Sequence, residues 1–96
     1  MIEDARLIPP GTCLEADLCI VGGGASAISL ALGYMKSGRS VILVPGGGPN
    51  QTASCIDLYR GKVEPPGSHE PLEENRLRMW GGTTTVWGGD ACLSTR

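Results

Sequence analysis

Two short apolar runs, separated by a stretch of helical periodicity, organise the first half of the chain. Leu18-Cys-Ile-Val21 is apolar throughout, the pattern of a parallel strand buried on both faces rather than one with a face in water. From Ala25 to about Ser37, Ile28, Ala31, Leu32 and Met35 fall at i, i+3, i+4 and i+7, which predicts a helix packed on a sheet. Gly38, following Lys36 and Ser37, is placed to cap it. Val41-Ile-Leu-Val44 is a second run of strand length. Residues 18–44 thus predict a β-α-β unit with parallel strands and a right-handed crossover. Residues 1–16 read as an irregular lead-in that turns at Pro9-Pro10-Gly11.

The second half has no such rhythm. Pro45 to Asn50 is a Gly/Pro loop, and Ile56 to Tyr59 has the length of a helical turn or a short strand. Lys62 to Leu72 holds Pro65, Pro66 and Pro71 and reads as extended. Leu77 to Trp80 then leads into Gly81-Gly-Thr-Thr-Thr-Val-Trp-Gly-Gly89, without repeats or low-complexity tracts.

The junction of the first strand and helix carries Gly22-x-Gly24-x-x-Ala27. Glycines here allow a tight exit from the strand and a close approach of the backbone to a pyrophosphate, where a Cβ would intrude. The next element, the helix, offers unpaired N–H groups and the positive end of its dipole. Strand, glycines, helix and second strand together predict a dinucleotide site. The acidic residue that normally accepts a ribose hydroxyl at the end of the second strand is missing: the strand ends Val44-Pro45-Gly46. Asp57 could take that part only if its loop folds back.

A second glycine module, Arg76-Leu-Arg78-Met-Trp80-Gly-Gly-Thr83-Thr-Thr-Val-Trp87-Gly-Gly89, pairs close-approach glycines with hydroxyl donors and water-excluding tryptophans. On residue types alone, a ligand loop and a glycine-rich hairpin with its aromatics in the core fit it equally.

Bulk properties narrow the field. At 96 residues with a net charge of −2, the chain is one small domain with no electrostatic case for nucleic acid or an anionic membrane. The apolar stretch around residues 18–35 is broken by Gly22 to Gly24 and carries Ser26 and Ser29, so it is not a membrane span. The start is acidic, without the basic and apolar regions of a secretory signal, which gives the expectation of a cytoplasmic protein. Cys13, Cys19, Cys55 and Cys92 lack zinc or disulfide spacing, and Cys19 is expected as a small buried hydrophobe of its strand. The single histidine, His69, lies in the Pro-rich stretch and reads as solvated surface.

Taken together, these residues resemble the N-terminal part of glucose–methanol–choline type FAD oxidoreductases, and most of all their sugar- and polyol-oxidising branch with its R-x-R-x-x-GGT-x-x-x-WGG segment. The resemblance runs from Ile2-Glu-Asp-Ala-Arg6 through Asp17-Leu-Cys-Ile-Val-Gly-Gly-Gly24 and Asp57-Leu-Tyr-Arg-Gly61 to Gly89. It implies an α/β fold: a partial Rossmann-like FAD-binding domain over residues 1–96, with an incomplete sheet. Residues 18–44 would be its dinucleotide unit and 76–89 its flavin-contacting loop. Matched positions make Gly22, Gly24, Gly81, Gly82, Thr83, Gly88 and Gly89 cofactor contacts, with Ala25, Ser26 and Trp87 beside them. Arg76 and Arg78 could orient the loop or meet a phosphate, but exposed arginines more often do neither, and both are left outside the site. Val86 stands where some relatives carry a histidine that tethers flavin, so FAD is expected to be non-covalent. Pro45 stands where the family usually has glutamate.

The same resemblance implies a parent enzyme that removes hydride from a CH–OH group of a small alcohol or sugar and passes electrons to an acceptor partner. Its catalytic base and substrate domain would lie beyond Arg96. No residue here is assigned a catalytic or metal-binding role, and a lone two-strand unit would leave one sheet face poorly covered. The chain is therefore expected to be inactive and marginally stable by itself. Two other readings stay open: a small non-catalytic nucleotide-binding module, and part of an NAD-dependent dehydrogenase. Pro45 counts against the second, and the Trp-Gly-Gly segment is unexplained by it.

Overall fold

The computed structural model describes residues 1–86. It is a small α/β structure built on the predicted unit: β1 (Leu18–Val21), α1 (Ala25–Met35) and β2 (Val41–Val44). The strands are parallel, with Leu18 opposite Val41, Cys19 opposite Ile42, Ile20 opposite Leu43 and Val21 opposite Val44. Asp17 fixes this register at its start. Its Oδ2 accepts from the Ser40 backbone N–H at 2.8 Å and the Ser40 hydroxyl at 3.1 Å, while its own N–H donates to Ser40 Oγ at 3.0 Å. α1 closes on Gly38, whose φ of 78° suits glycine and whose N–H reaches the Met35 carbonyl at 3.0 Å.

The helix face that meets the sheet differs from the predicted one. Ala31 is buried, and Ala27, Ile28 and Tyr34 are half-buried, but Leu32 and Met35 face solvent. The stripe is rotated so that Ala27 and Tyr34, with Ile28 and Ala31, take the inward positions expected of Leu32 and Met35. Among the described residues the core consists of Ile20 and Ala31.

The expectation of strands buried on both faces is corrected. Only the face of Leu18, Ile20, Val41 and Leu43 meets α1. On the other, Val21 is 84% exposed and Cys19 is exposed rather than buried. That face forms the floor of an open groove walled by the lead-in residues Thr12, Leu14, Glu15 and Ala16. The physical reason is coverage: a fully apolar strand is written for two packing layers, and the described residues supply one.

The rest of the chain is short local structure. Ile56 and Asp57 belong to a brief helix α2 (Ala53–Asp57), capped by Thr52, whose Oγ1 accepts from the Cys55 N–H at 3.3 Å. 3₁₀ turns occupy Ala5–Leu7, Leu72–Glu74 and Gly82–Val86. The first is capped by Asp4, whose carboxyl is held down to about 2 by hydrogen bonds from the Arg6 side chain and backbone. Among the described residues, no helix is long and apolar enough to cross a membrane.

Candidate functional site

Three loops meet at the C-terminal ends of β1 and β2, the end of an open parallel sheet where ligands bind. The first is the Gly22–Gly24 turn. Gly22 has φ 125°, a conformation that favours glycine, and its N–H donates to Val44 O at 2.8 Å. The second is Pro45–Gly48, leaving β2. The third is Arg78–Gly82, arriving from far along the chain. Gly81 N–H donates to Gly23 O at 2.8 Å, and Gly24 and Gly81 form an isolated parallel bridge. Trp80 N–H donates to Gly48 O at 2.9 Å. The two glycine modules are thus one structure.

Their contact explains the residue types. A Cβ on Gly82 would stand 3.3 Å from the Gly24 Cα, and the Gly82 φ of 61° lies in the left-handed region. A Cβ on Gly23 would come within 2.7 Å of Pro45 Cβ, so the residue in place of the ribose acid packs directly on the turn. Around the Cβ directions of Gly22 and Gly24, by contrast, nothing lies within 4 Å. The chain is bare where a phosphate would approach. Beside it begins α1, whose N-cap Gly24 supplies no side-chain hydrogen bond, leaving the first-turn N–H groups at Ala25 and Ser26 without a side-chain cap. This bare, donor-rich turn fits an anionic pyrophosphate.

The threonines shape the loop. Thr83 Oγ1 accepts from the Leu77 N–H at 3.2 Å and keeps its own O–H as a donor. Thr84 and Thr85 hydroxyls donate back to the Gly81 and Gly82 carbonyls at 2.6 and 2.9 Å. Gly82–Val86, the described end of the module, is a 3₁₀ turn. Trp87, Gly88 and Gly89, expected as further contacts, lie outside the described residues.

Arg78, left outside the expected site, stands at this junction. Its Nε–H donates to Gly46 O at 3.0 Å, and its guanidinium carbon stands 5.8 Å from the centre of the Tyr59 ring. Cys55 Sγ approaches the same carbonyl at 3.8 Å. The α2 region therefore does fold back toward the end of β2, and the Asp57 Oδ1 there pairs with Arg60 Nε at 3.0 Å. One signal was available: Gly46-Gly47-Gly48 comes after β2 as Gly22-Gly23-Gly24 comes after β1, which marks two loops that a third backbone can approach.

No imidazole or carboxylate of the described residues joins these contacts. His69 is exposed, with Nδ1 2.7 Å from the Glu70 carbonyl oxygen. The arrangement offers backbone N–H groups and a guanidinium with which to bind and orient an anion. Among the described residues, no cluster of three or more His, Cys, Asp or Glu side chains could hold a metal ion.

Comparison with known proteins finds a similarity over part of the chain. The chain is 35% identical over 65 residues to the 6-methylpretetramide 4-monooxygenase of Streptomyces rimosus, an oxidoreductase by its name. The matched region is 68% of this chain and 14% of that enzyme, so the chain corresponds to a small part of its length. No family model matches. No solved structure matches either.

Proposed function

We propose that the joined glycine turns bind the pyrophosphate of FAD, non-covalently, and that the chain is the FAD-binding portion of an oxidoreductase. The observation that carries this reading is the Gly24–Gly81 junction, which builds one cradle from both glycine modules at the N-terminus of α1. Gly22, Gly24, Ala25, Ser26, Gly81, Gly82 and Thr83 would hold the cofactor, and Trp87, Gly88 and Gly89, outside the described residues, are proposed as further contacts. FAD, when bound, supplies a ring that accepts hydride or electron pairs. The missing carboxylate at Pro45 counts most against NAD, for which that acid is a main determinant, and should lower the affinity for FAD as well, since the resembled family usually has glutamate there.

For the reaction, the R-x-R-x-x-GGT-x-x-x-WGG resemblance favours oxidation of a CH–OH group in an alcohol or sugar, as in the glucose–methanol–choline type. The similarity to a monooxygenase favours a second reading, hydroxylation. These differ in electron balance. Oxidising CH–OH delivers two electrons from the substrate itself. A monooxygenase places one oxygen atom in its substrate and reduces the other to water, so two electrons must come from a separate reductant.

Titration of the protein with FAD, followed by flavin fluorescence, should give saturable quenching that excess NAD does not reverse. Absence of quenching, or ready displacement by NAD, contradicts the reading. In the complete oxidoreductase, anaerobic bleaching of the flavin by alcohols or sugars alone supports the first reaction. Bleaching that requires an added reduced nicotinamide supports the second.

A further inference from the structure

We propose that Arg78 is the positioning residue of the cradle: seated on the Gly46 carbonyl, it fixes the Met79–Gly82 segment against both glycine turns and so presets the phosphate site. Only the binding part of this inference rests on the FAD reading above.

Arg78 touches the loop after β2 with both side chain and backbone. A Cβ at Gly46 would strike the guanidinium, 2.5 Å from Cζ and 2.6 Å from Nε. A Cβ at Gly47 would meet the carbonyl of Arg78, lying 2.7 Å from its carbon. Glycine at both positions is therefore the space that Arg78 fills. Tyr59 braces the cation from α2's C-terminal side, and among the described residues no carboxylate pairs with it. Its contacts are consequently with a carbonyl and a ring, which fix direction more than they neutralise charge.

The Met79–Gly82 segment needs such an anchor. Trp80 and Gly81 each give one backbone N–H to the turns, and Gly81 and Gly82 both hold positive φ. Glycines lose more conformational freedom on ordering than any other residue, so two amide bonds alone hold this segment weakly. The Arg78–Gly46 bond is charge-assisted and set by a rigid planar fork. A lysine would carry the charge without the Nε donor at that place.

The test separates position from charge. Arg78→Met removes both, Arg78→Lys keeps the charge, and Gly46→Ala keeps Arg78 but takes its seat. Gly46 has no positive φ, so alanine adds no backbone strain there. Amide hydrogen exchange of the 96-residue chain reads the clamp without any ligand. All three variants should lose about tenfold or more of the protection at the Trp80 and Gly81 N–H groups, the worth of a hydrogen bond to a charged group. The Gly22 N–H, bonded to Val44 O, should hold its protection as the control. FAD affinity should fall by a similar factor. Should Arg78→Met also loosen the control, Gly46→Ala carries the decision. Wild-type exchange and affinity in Arg78→Lys would show that charge alone matters and overturn the inference, as would wild-type protection in Gly46→Ala. Failure of the wild-type chain to bind FAD would overturn the FAD reading, while the exchange pattern still judges Arg78.

Discussion

Gly24 and Gly82 face each other across the cradle, yet their glycines serve different needs. Gly82 is constrained by its backbone: φ 61° and a neighbour 3.3 Å from its Cβ direction make Gly82→Ala costly, by about 1–2 kcal/mol in loop stability. Gly24 has an ordinary φ of −79° and open space around its Cβ direction, so the fold tolerates a side chain there. Gly24→Val should therefore leave circular dichroism near wild type and cost only the preference for glycine over valine at an N-cap, about 1 kcal/mol, while weakening FAD binding at least about tenfold, since the added methyls fill the approach of the phosphate. Parallel measurement of melting and FAD titration checks this. Equal affinity for the two proteins would mean that the cofactor does not use this turn.

At the level of elements, β1 divides its residues between a packed and an open face. Ile20, 9% exposed, packs toward α1, and Ile20→Ala should cost about 2–4 kcal/mol. Its neighbour Val21, 84% exposed, should accept threonine within about 0.5 kcal/mol. Denaturant melts of the two variants test the contrast; equal costs would mean that Val21 is covered in solution. The sequence reports these elements unevenly. β1, β2 and α1 were legible because apolar runs and helical spacing are local signals, and Gly38 marked the helix end. Which face of α1 packs was not, since Leu32 and Met35 fit the helical spacing as well as Ile28 and Ala31, and the local pattern does not say how the helix is rotated on its strands. The meeting of the two glycine modules was invisible as geometry. It depends on backbone bonds from Trp80 and Gly81 to Gly48 and Gly23, which leave no imprint beyond glycine itself. A loop-orienting Arg78 could not be told from an idle surface arginine for a related reason: its partner is a carbonyl, and a carbonyl has no sequence signature.

For the molecule as a whole, loops hold more of the architecture than the core does. Ile20 and Ala31 are the buried apolar residues among those described, whereas Leu7, Val21 and Val86 remain 83, 84 and 69% exposed. With so little buried surface, the order of the cradle rests on backbone hydrogen bonds and the Arg78 clamp. A ligand that bridges both turns should then stabilise the fold by mass action. The central claim is that both glycine modules form one FAD site, and amide NMR during an FAD titration tests it most directly. Gly22, Gly24, Gly81 and Gly82 should shift together, with one common midpoint. Shifts confined to one module, separate midpoints for the two, or no shift in either would contradict a single shared cradle.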